Sequence, residues 1–556
     1  MASHPADDLI RQGREAWQRG DFATAVQLAQ AALQHGGEGF DVHGLLGDSH
    51  LGLQQFEPAL QAYEQALRFD PGNPSVTFLC GEMLFHLGRF DACVARLTGL
   101  DTGGDKALAT EHAITLGRAQ QIVGLPVQAE INLVTAFVND PAHEGAAYNL
   151  AVFYEQQQMP QQALQILEPA VVTHPQSVRL RYNLGTVLTA CGDTGRAITV
   201  LEDTLRLAPR HLHAHHNLAM ACLRAGQLRQ GWTHYAWRFN RHQSEGAPAD
   251  WAPRTAPLPL DLQGTTVRVS GEQGIGDELF FMRYLPALQQ RGARVTYQPC
   301  NAKLRPLLGQ LQQQGLFNSW EDSGAPFGTN DSMHILIGDL PLALGEPHIS
   351  SCPPAVRLTP DPLRVEALRA RLPLLGGVRP RLGLAWRAGT QASPQGRFER
   401  ERLLSKSMPL EPLLDILAPL DVDVVILQRR PEASELDRIH ERLGSARCLD
   451  ASHLDQDLGE LLALLSCVDR LVGVSNTNVH LFAALGRTGD VLVPCPHEFR
   501  WQETGEGTPW FPGFGVYRQA AQADWQAPLA RLAADLGRRY GGPGAGAPER
   551  ASTFTA

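Results

Sequence analysis

A glycine-rich segment, Gly271-Glu-Gln-Gly-Ile-Gly-Asp277, contains residue types that could bind a ligand and move a proton. Gly274 and Gly276 would let the backbone pass close to a ligand, so we predict that they line a cleft. Asp277 is placed where a following helix would begin, and its carboxylate could take the proton from an acceptor hydroxyl. The alternative is that Asp277 only complements the dipole of that helix.

A second candidate site is the segment Gly473-Val-Ser-Asn-Thr-Asn-Val-His480, which follows an apolar run and opens a predicted helix. Hydroxyls, amides and backbone N–H groups together suit a phosphate bound without a metal ion. Plain N-capping is the alternative, but a cap needs one such residue and this run has four. The predicted ligand-binding residues here are Ser475, Asn476, Thr477, Asn478 and His480.

A third candidate is a basic segment in which Arg387, Arg397, Arg400, Arg402 and Lys406 face only Glu399 and Glu401. Such a loop could bind a phosphate and stabilise a leaving group. The alternative is that each of these basic side chains is only solvated at the surface. Arg387 and Lys406 are the two preferred members because they lie beside a strand end and a helix start. Gln428, at the end of a predicted strand, completes the predicted set of ligand-binding residues.

These three segments lie between predicted strands and helices. Residues 265–270 and 293–299 read as strands on either side of a helix over 278–292, which is a right-handed βαβ unit. A second series of strands begins at 381–386, after a Gly- and Pro-containing hinge. The sequence therefore predicts two Rossmann-like lobes with a cleft between them, at 265–376 and 377–540, followed by a disordered tail at 541–556.

The N-terminal part of the chain repeats itself. Turn residues recur at spacings of 34 or 36, and a small residue follows each of them five positions later. The turn residues are Gly20, Gln54, Gly88, Gly124, Gln158, Gly192 and Gly226. Prolines 71, 141, 175 and 209 close four of the units, because proline disfavours helix around it. We predict an α-solenoid of about seven helix–turn–helix units over 1–240, and a proline-rich linker over 241–264.

Composition excludes several classes of protein. A length of 556 residues predicts two to four domains, and a net charge of −10 argues against a nucleic-acid partner. No apolar run reaches the roughly 20 residues of a membrane span, and acids stand where a secretory signal would have bases. The nine cysteines are scattered without a CxxC pair, which indicates reduced thiols. We expect a cytoplasmic protein.

The segments 148–175 and 182–209 resemble the tetratricopeptide repeat, a helix–turn–helix unit of 34 residues. Arrays of this kind coil into a superhelix whose concave face binds an extended peptide or a folded partner. The resemblance implies recruitment of a protein substrate, and the alternative is that the repeats only stabilise or dimerise the rest of the chain. The histidines at 211, 213, 215 and 216 have metal-like spacing, but solvated or hydrogen-bonded rings are the preferred interpretation.

The C-terminal half resembles heptosyltransferases of the ADP-heptose–lipopolysaccharide type. GEQGIGDELFFMRYLPAL resembles the motif that opens them, and VDRLVGVSNTNVHLFAALGR resembles a later motif. LGLAWRAGT, followed by KSMPLEPLL, resembles the start of their donor lobe. The whole chain is similar to bacterial proteins that fuse tetratricopeptide repeats to a GT-B domain, including enzymes that glycosylate flagellin. Its architecture parallels the eukaryotic O-linked N-acetylglucosamine transferase.

This resemblance implies roles for individual residues. Asp277 matches the proposed general base, His480 the motif histidine, and Lys406 a phosphate-binding lysine. Ser475 stands where heptosyltransferases have an aspartate that helps to hold the donor sugar, so it points to another donor. The flagellin-modifying relatives imply a CMP-activated nonulosonic acid such as pseudaminic acid, and a UDP- or ADP-sugar is the alternative. The family implies inverting, metal-independent transfer with no cofactor beyond the nucleotide-sugar.

The sequence thus predicts a multidomain α plus α/β protein with a tetratricopeptide solenoid and a GT-B pair of lobes. The predicted function is O-glycosylation of Ser or Thr on a protein acceptor, with flagellin favoured. Two alternatives stay open. The lobes could be catalytically inactive and the chain an adaptor scaffold, as the missing aspartate at Ser475 suggests. The enzyme could also act on a glycan or lipopolysaccharide acceptor.

Overall fold

The computed structural model describes residues 5–238, 253, 256–322, 333–345, 352–388, 406–520 and 524–541. The chain divides into two compact units, Met1–Val187 and Leu188–Ala556. Arg397, Arg400, Arg402, nearly all of the predicted tail and most of the predicted linker lie outside the described residues. In the part that is described, none of the helices has the length and apolar character needed to span a bilayer.

Fourteen helices precede the first strand in the described part of the chain. They are α1 (Pro5–Gln18), α2 (Phe22–Gln34), α3 (Phe40–Gly52), α4 (Phe56–Phe69), α5 (Pro74–His86), α6 (Phe90–Leu97), α7 (Lys106–Ile122), α8 (Pro126–Asn139), α9 (Glu144–Gln156), α10 (Pro160–Thr173), α11 (Val178–Ala190), α12 (Thr194–Leu207), α13 (Leu212–Arg224) and α14 (Leu228–Tyr235). Side chains cap several of them, as where Asp21 accepts a hydrogen bond from the Thr24 amide at 3.1 Å. The predicted helical solenoid is confirmed.

The repeated turn residues have the backbone conformation that their positions require. All seven adopt a positive φ, from 56° at Gln54 to 82° at Gly124. This left-handed conformation ends one helix and starts the next, and glycine adopts it without the cost of about 1–2 kcal/mol that Gln54 and Gln158 bear. The small residues five positions later are buried, for example Ala129 at 0% exposure, so paired helices approach closely there.

Two parallel sheets follow in the described part of the chain. The first contains β1 (Thr266–Ser270), β2 (Arg294–Gln298), β3 (Ser319–Trp320) and β4 (Met333–Leu336), in the order β3-β2-β1-β4. The second contains β5 (Arg381–Ala385), β6 (Asp423–Ile426), β7 (Cys448–Asp450), β8 (Arg470–Val474), β9 (Gly489–Val493) and β10 (Gly515–Arg518), in the order β10-β9-β8-β5-β6-β7. We call the two sheets with their helices the first and the second lobe. Strand order reverses beside β1 and beside β5, and doubly wound sheets bind ligands at such points.

Helices lie between these strands and after the last of them. In chain order they are α15 (Ile275–Phe281), α16 (Leu285–Gln290), α17 (Arg305–Gln313), α18 (Leu340–Ala343), α19 (Pro362–Arg371), α20 (Leu410–Leu417), α21 (Ala433–Leu443), α22 (Leu458–Ser466), α23 (Thr477–Ala484) and α24 (Gln526–Tyr540). The prediction of one helix over 278–292 was wrong, because a 3-10 turn at Met282–Tyr284 separates α15 from α16. Pro286 has no N–H to continue the α-helical pattern and stands in the first turn of α16.

The last repeat helices pack with the sheets. The division between the compact units falls inside α11, so α12, α13 and α14 belong to the second unit. Trp232 of α14 makes edge-on ring contacts with Phe281 at 5.9 Å, Phe499 at 5.7 Å and Trp510 at 6.3 Å. One continuous hydrophobic core includes this tryptophan and both lobes. These repeat helices are therefore structural neighbours of the candidate site.

Gly473 allows β8 and β5 to pair closely. A Cβ atom added there would lie 2.0 Å from the Ala385 carbonyl oxygen, a backbone atom of the neighbouring strand. Gly473→Ala should therefore lower the free energy of unfolding by about 1–3 kcal/mol or more, measured by urea denaturation. Gly309→Ala is the control, because among the described residues nothing outside the local backbone of its own helix lies within 4 Å of the added Cβ. That change within a helix should stabilise the protein by about 0.5–1 kcal/mol. Equal stability of the two variants would contradict this account of Gly473.

Candidate functional site

Asp277 lies in the first turn of α15 and is engaged through both of its carboxylate oxygens. One oxygen accepts a hydrogen bond from the Gly274 amide at 3.2 Å. The other pairs with the guanidinium of Arg500, in the 3-10 turn Phe499–Trp501 that follows β9. The ion pair thus joins the start of α15 in the first lobe to the turn after β9 in the second.

Arg500 belongs to a larger set of charges. It also pairs with Glu498, and Lys406 Nζ lies 2.8 Å from a Glu498 carboxylate oxygen. We call Asp277, Arg500, Glu498 and Lys406 the interlobe charge network. Burial alone would raise the pKa of Glu498, but the positive charges of Lys406 and Arg500 hold it well below its ordinary value. The network therefore contains two anions and two cations, all at the carboxyl ends of strands.

His480 is buried in α23 against the glycine-rich loop. A Cβ atom added to Gly276 would lie 3.0 Å from the imidazole Cδ2, so a larger residue than glycine would crowd the ring. The ring also contacts Phe511 edge-on, with the ring centres 5.2 Å apart. Burial, followed by the charge of Arg500, lowers the pKa of His480 well below its ordinary value. The imidazole is therefore neutral and packs between the two lobes.

The polar run at the start of α23 has several roles. Asn476 caps the helix, because its side-chain oxygen accepts a hydrogen bond from the Asn478 amide at 3.0 Å. Asn478 donates from its side chain to the Leu427 carbonyl at 3.3 Å. Ser475 is buried and Thr477 is half-buried. Asn476 is therefore an N-cap residue. Binding of a donor by the polar run stays a prediction.

Arg387 and Gln428 hold the loops after β5 and β6. The Gln428 side-chain oxygen accepts hydrogen bonds from the amides of Trp386 at 3.0 Å and Arg387 at 2.9 Å. The Arg387 guanidinium pairs with Glu435 and donates to the Arg430 carbonyl at 3.0 Å. Burial alone would raise the pKa of Glu435, but hydrogen bonds led by that from Arg387 lower it. Both side chains therefore make defined intramolecular contacts beside the point where strand order reverses.

Lys406 is brought to the same place by the backbone. The Ala388 amide donates to the Lys406 carbonyl at 2.8 Å, and Arg387 pairs with Ser407 in an isolated antiparallel bridge. The structure thus brings Asp277 and Lys406 into one charge network, with His480 against the loop that carries Asp277. Arg387, Gln428 and residues 475–478 lie at the carboxyl ends of β5, β6 and β8.

A cavity of about 580 Å³ lies elsewhere, against α19. Its lining includes Thr359, Val365, Arg369 and Ser466, and none of the predicted site residues. Among the described residues, no group of three or more His, Cys, Asp and Glu side chains is arranged to hold a metal ion.

Two site residues, Glu498 and Arg500, were missed from the sequence. They stand in the run PHEFRW after β9, which has no glycine-rich or small-polar signature. The only signal was a pair of opposite charges inside an aromatic run, where unpaired charges would be costly to bury. Glu498 is 5% and Arg500 5% exposed, which shows that they pair inside the protein.

Glu278, also missed, ties the glycine-rich loop to the loop after β2. This buried carboxylate accepts hydrogen bonds from the Tyr297 hydroxyl and from the amides of Cys300 at 3.0 Å and Asn301 at 3.1 Å. Gly271 leaves room for it, because a Cβ atom there would lie 1.9 Å from a Glu278 oxygen. Burial raises the pKa of Glu278 from 4.5 to about 7.

This raised pKa predicts a pH-dependent stability. Between pH 4.5 and about 7 the folded Glu278 keeps a proton that the unfolded chain releases, so its contribution to the free energy of unfolding declines as pH rises through that window. In Glu278→Gln, which cannot ionise, this decline should be absent from urea denaturation curves. Glu366→Gln, at an exposed position, should keep the wild-type decline. Parallel profiles for wild type and Glu278→Gln would contradict the assignment.

Comparison with known proteins identifies the repeats. The tetratricopeptide repeat family model matches residues 10–74 and 45–92. Protein FlbA of Caulobacter vibrioides is 26% identical over 486 residues, which cover 77% of this chain and 79% of the relative. Pseudomonas aeruginosa PilF is 20% identical, with 38% of this chain and 94% of that chain covered and a TM-score of 0.33. A tetratricopeptide repeat protein from Parabacteroides merdae is 14% identical, with 44% and 94% covered and a TM-score of 0.36. This chain contains tetratricopeptide repeats.

Proposed function

We propose that this chain is a glycosyltransferase that moves a sugar from a nucleotide-sugar to a protein held by its repeats. The observation that carries the proposal is the interlobe charge network, in which Asp277 of the first lobe pairs with Arg500 of the second. Glu498 joins Arg500 to a second cation, Lys406. Transfer of a sugar to a hydroxyl needs a base for the acceptor and positive potential for the departing nucleotide. The two lobes would supply one each, as a GT-B pair.

In this proposal the donor phosphate replaces Asp277 as the partner of Arg500. The exchange frees the carboxylate, which then takes the proton from an acceptor Ser or Thr hydroxyl. The hydroxyl oxygen attacks the anomeric carbon, and the bond from that carbon to the phosphate oxygen breaks with inversion. Arg500, Lys406 and the amides at the start of α23 neutralise the nucleotide that leaves. No step needs a metal ion.

The donor and acceptor are proposed by chemical class. A CMP-activated nonulosonic acid such as pseudaminic acid fits the absence of an acid at Ser475, because an acidic sugar would be repelled by one. UDP- and ADP-sugars are the alternatives. A flagellin-like protein in the cytoplasm is the favoured acceptor, bound by the concave face that tetratricopeptide arrays use for partners.

A second candidate function is an adaptor scaffold without activity. It is favoured by one specific observation: the charges of the interlobe network already neutralise one another. His480 is likewise packed rather than open to a ligand. A scaffold would keep these contacts permanently, whereas the enzyme must exchange the Asp277–Arg500 pair for a phosphate.

Ligand-dependent stability separates the two functions. Thermal unfolding with CMP-, UDP- and ADP-compounds should reveal one nucleotide that stabilises the enzyme, by about 2.7 kcal/mol at 100 times its dissociation constant. Lys406→Met should weaken this effect because it removes a cation of the network. The control Lys106→Met, at an exposed position in α7, should not. Absence of stabilisation by every nucleotide would favour the scaffold.

The acceptor class is tested by removing the first compact unit. Deletion of residues 1–187 leaves α12, α13 and α14 in place, whereas deletion through 240 would remove helices that pack with the lobes. A protein acceptor held by the repeats should no longer be modified by the truncated enzyme, while nucleotide binding persists. A glycan acceptor should still be modified.

A further inference from the structure

Arg238, just beyond the end of α14, forms a buried ionic cluster with two acidic side chains. Its guanidinium is 2% exposed, and Nε donates to Glu272 Oε2 at 2.8 Å while Nη2 pairs with the other oxygen of that carboxylate. Nη1 donates to Asp339 Oδ1 at 2.6 Å. Such a two-pronged contact fixes the orientation of a carboxylate in a way that a single point charge does not.

The two acids belong to the loops that bind ligands in doubly wound sheets. Glu272 is the second residue of the glycine-rich loop after β1, and Asp339 is in the 3-10 turn after β4. Glu272 also accepts a hydrogen bond from the Gly338 amide at 3.0 Å. Since strand order reverses between β1 and β4, Arg238 bridges the reversal point of the first sheet.

Tyr235 of the same helix holds the next residue of the loop. Its hydroxyl accepts a hydrogen bond from the Gln273 side-chain amide at 2.8 Å. Gln273 has a φ of 64°, a left-handed conformation that side chains other than glycine adopt only at a cost. Contacts from outside the loop must therefore hold this conformation, and the Tyr235 hydroxyl provides one. Gln273 lies only four residues before Asp277.

We infer that Arg238 and Tyr235, at the end of the last repeat, are positioning residues for the glycine-rich loop that leads into the first turn of α15, where Asp277 lies. The last repeat is then part of the acceptor side of the site as well as part of the solenoid. The inference rests on the proposed function for the role of Asp277, whereas the ordering of the loop by α14 can be measured without any activity.

Hydrogen exchange of the full chain, followed by mass spectrometry, tests the ordering. Arg238→Met should raise exchange at least about tenfold in peptides covering 271–278 and Gly338, because breaking a buried pair frees the loop. Arg238→Lys and Tyr235→Phe should give smaller increases in the same peptides. The control Arg470→Met breaks another buried pair, with Asp490 between β8 and β9, and should raise exchange there instead.

Two results would overturn the inference. One is unchanged protection of 271–278 in Arg238→Met; the other is an equal increase in Arg470→Met, which would indicate general destabilisation. If Arg238→Met does not fold, Arg238→Lys and Tyr235→Phe decide by the same criterion. Where wild-type transfer is detected, Arg238→Lys should lower kcat without changing the dissociation constant of the nucleotide. Loosening of the loop in a chain that binds no nucleotide would support the inference and refute the proposed function.

Discussion

Replacing Asp277 with asparagine should lower the rate of sugar transfer by about 10²- to 10⁴-fold, the usual contribution of a general base. Asparagine keeps the size of the side chain and an oxygen for the Gly274 amide, but it cannot accept the proton of the acceptor. It also releases the charge of Arg500 toward the donor phosphate. The dissociation constant of the nucleotide, measured by calorimetry, should therefore stay the same or decrease while kcat is lost.

Asp322→Asn is the matched control. Asp322 lies in the same lobe and pairs with Arg305 at 2.9 Å, but both side chains are more than half exposed. Its transfer rate should equal that of the wild type. If Asp277→Asn transfers sugar at the wild-type rate, Asp277 is not the general base. If the variant loses nucleotide binding as well as activity, the substitution has damaged the site instead.

The second large effect is expected at Arg500. Replacement by methionine removes the cation that pairs with both Glu498 and Asp277, and among the described residues it leaves Lys406 as the remaining cation on Glu498. Breaking a buried ion pair costs about 3–5 kcal/mol, because a charge stays in the interior without compensation. The free energy of unfolding in urea should fall by that amount. Nucleotide affinity should also fall, because the proposed partner of the donor phosphate is gone.

An exposed pair provides the comparison. Arg364 and Asp457 lie 2.8 Å apart, with side chains 42% and 41% exposed. Arg364→Met should therefore cost less than about 1 kcal/mol. If the Arg500 and Arg364 variants lose the same stability, the interlobe network is not a buried unit, and its proposed exchange with a phosphate has no energetic basis.

The repeats were predictable because their signal is local. The residues at the seven turns, among them Gln54 and Gly124, recur at a fixed spacing and all adopt a left-handed backbone. The parallel strands β1, β5 and β8 were predictable for the same reason, since apolar runs before polar turns mark buried strands. Short strands such as β7 and β10 were missed, because three or four residues carry too little pattern.

The site could be predicted only in part. Asp277, Ser475 and the residues after Ser475 could be placed from the sequence, because each follows a predicted strand. The carboxyl ends of parallel strands lie at the same edge of a sheet, where ligands bind. The partners of Asp277 could not be predicted, since Arg500 is more than 200 residues away and its contact depends on how the lobes pack. The role of Arg238 could not be predicted for the same reason, because its partners Glu272 and Asp339 lie 34 and 101 residues further along the chain.

Intact-mass analysis of proteins from cells that carry the wild-type or the Asp277→Asn gene is the decisive test of sugar transfer by this chain. In wild-type cells, one protein should have an added mass that corresponds to one or more sugars on Ser or Thr. The same protein should be unmodified in the Asp277→Asn cells, although the variant chain is folded and present. Identical mass profiles in the two strains would contradict the proposed activity.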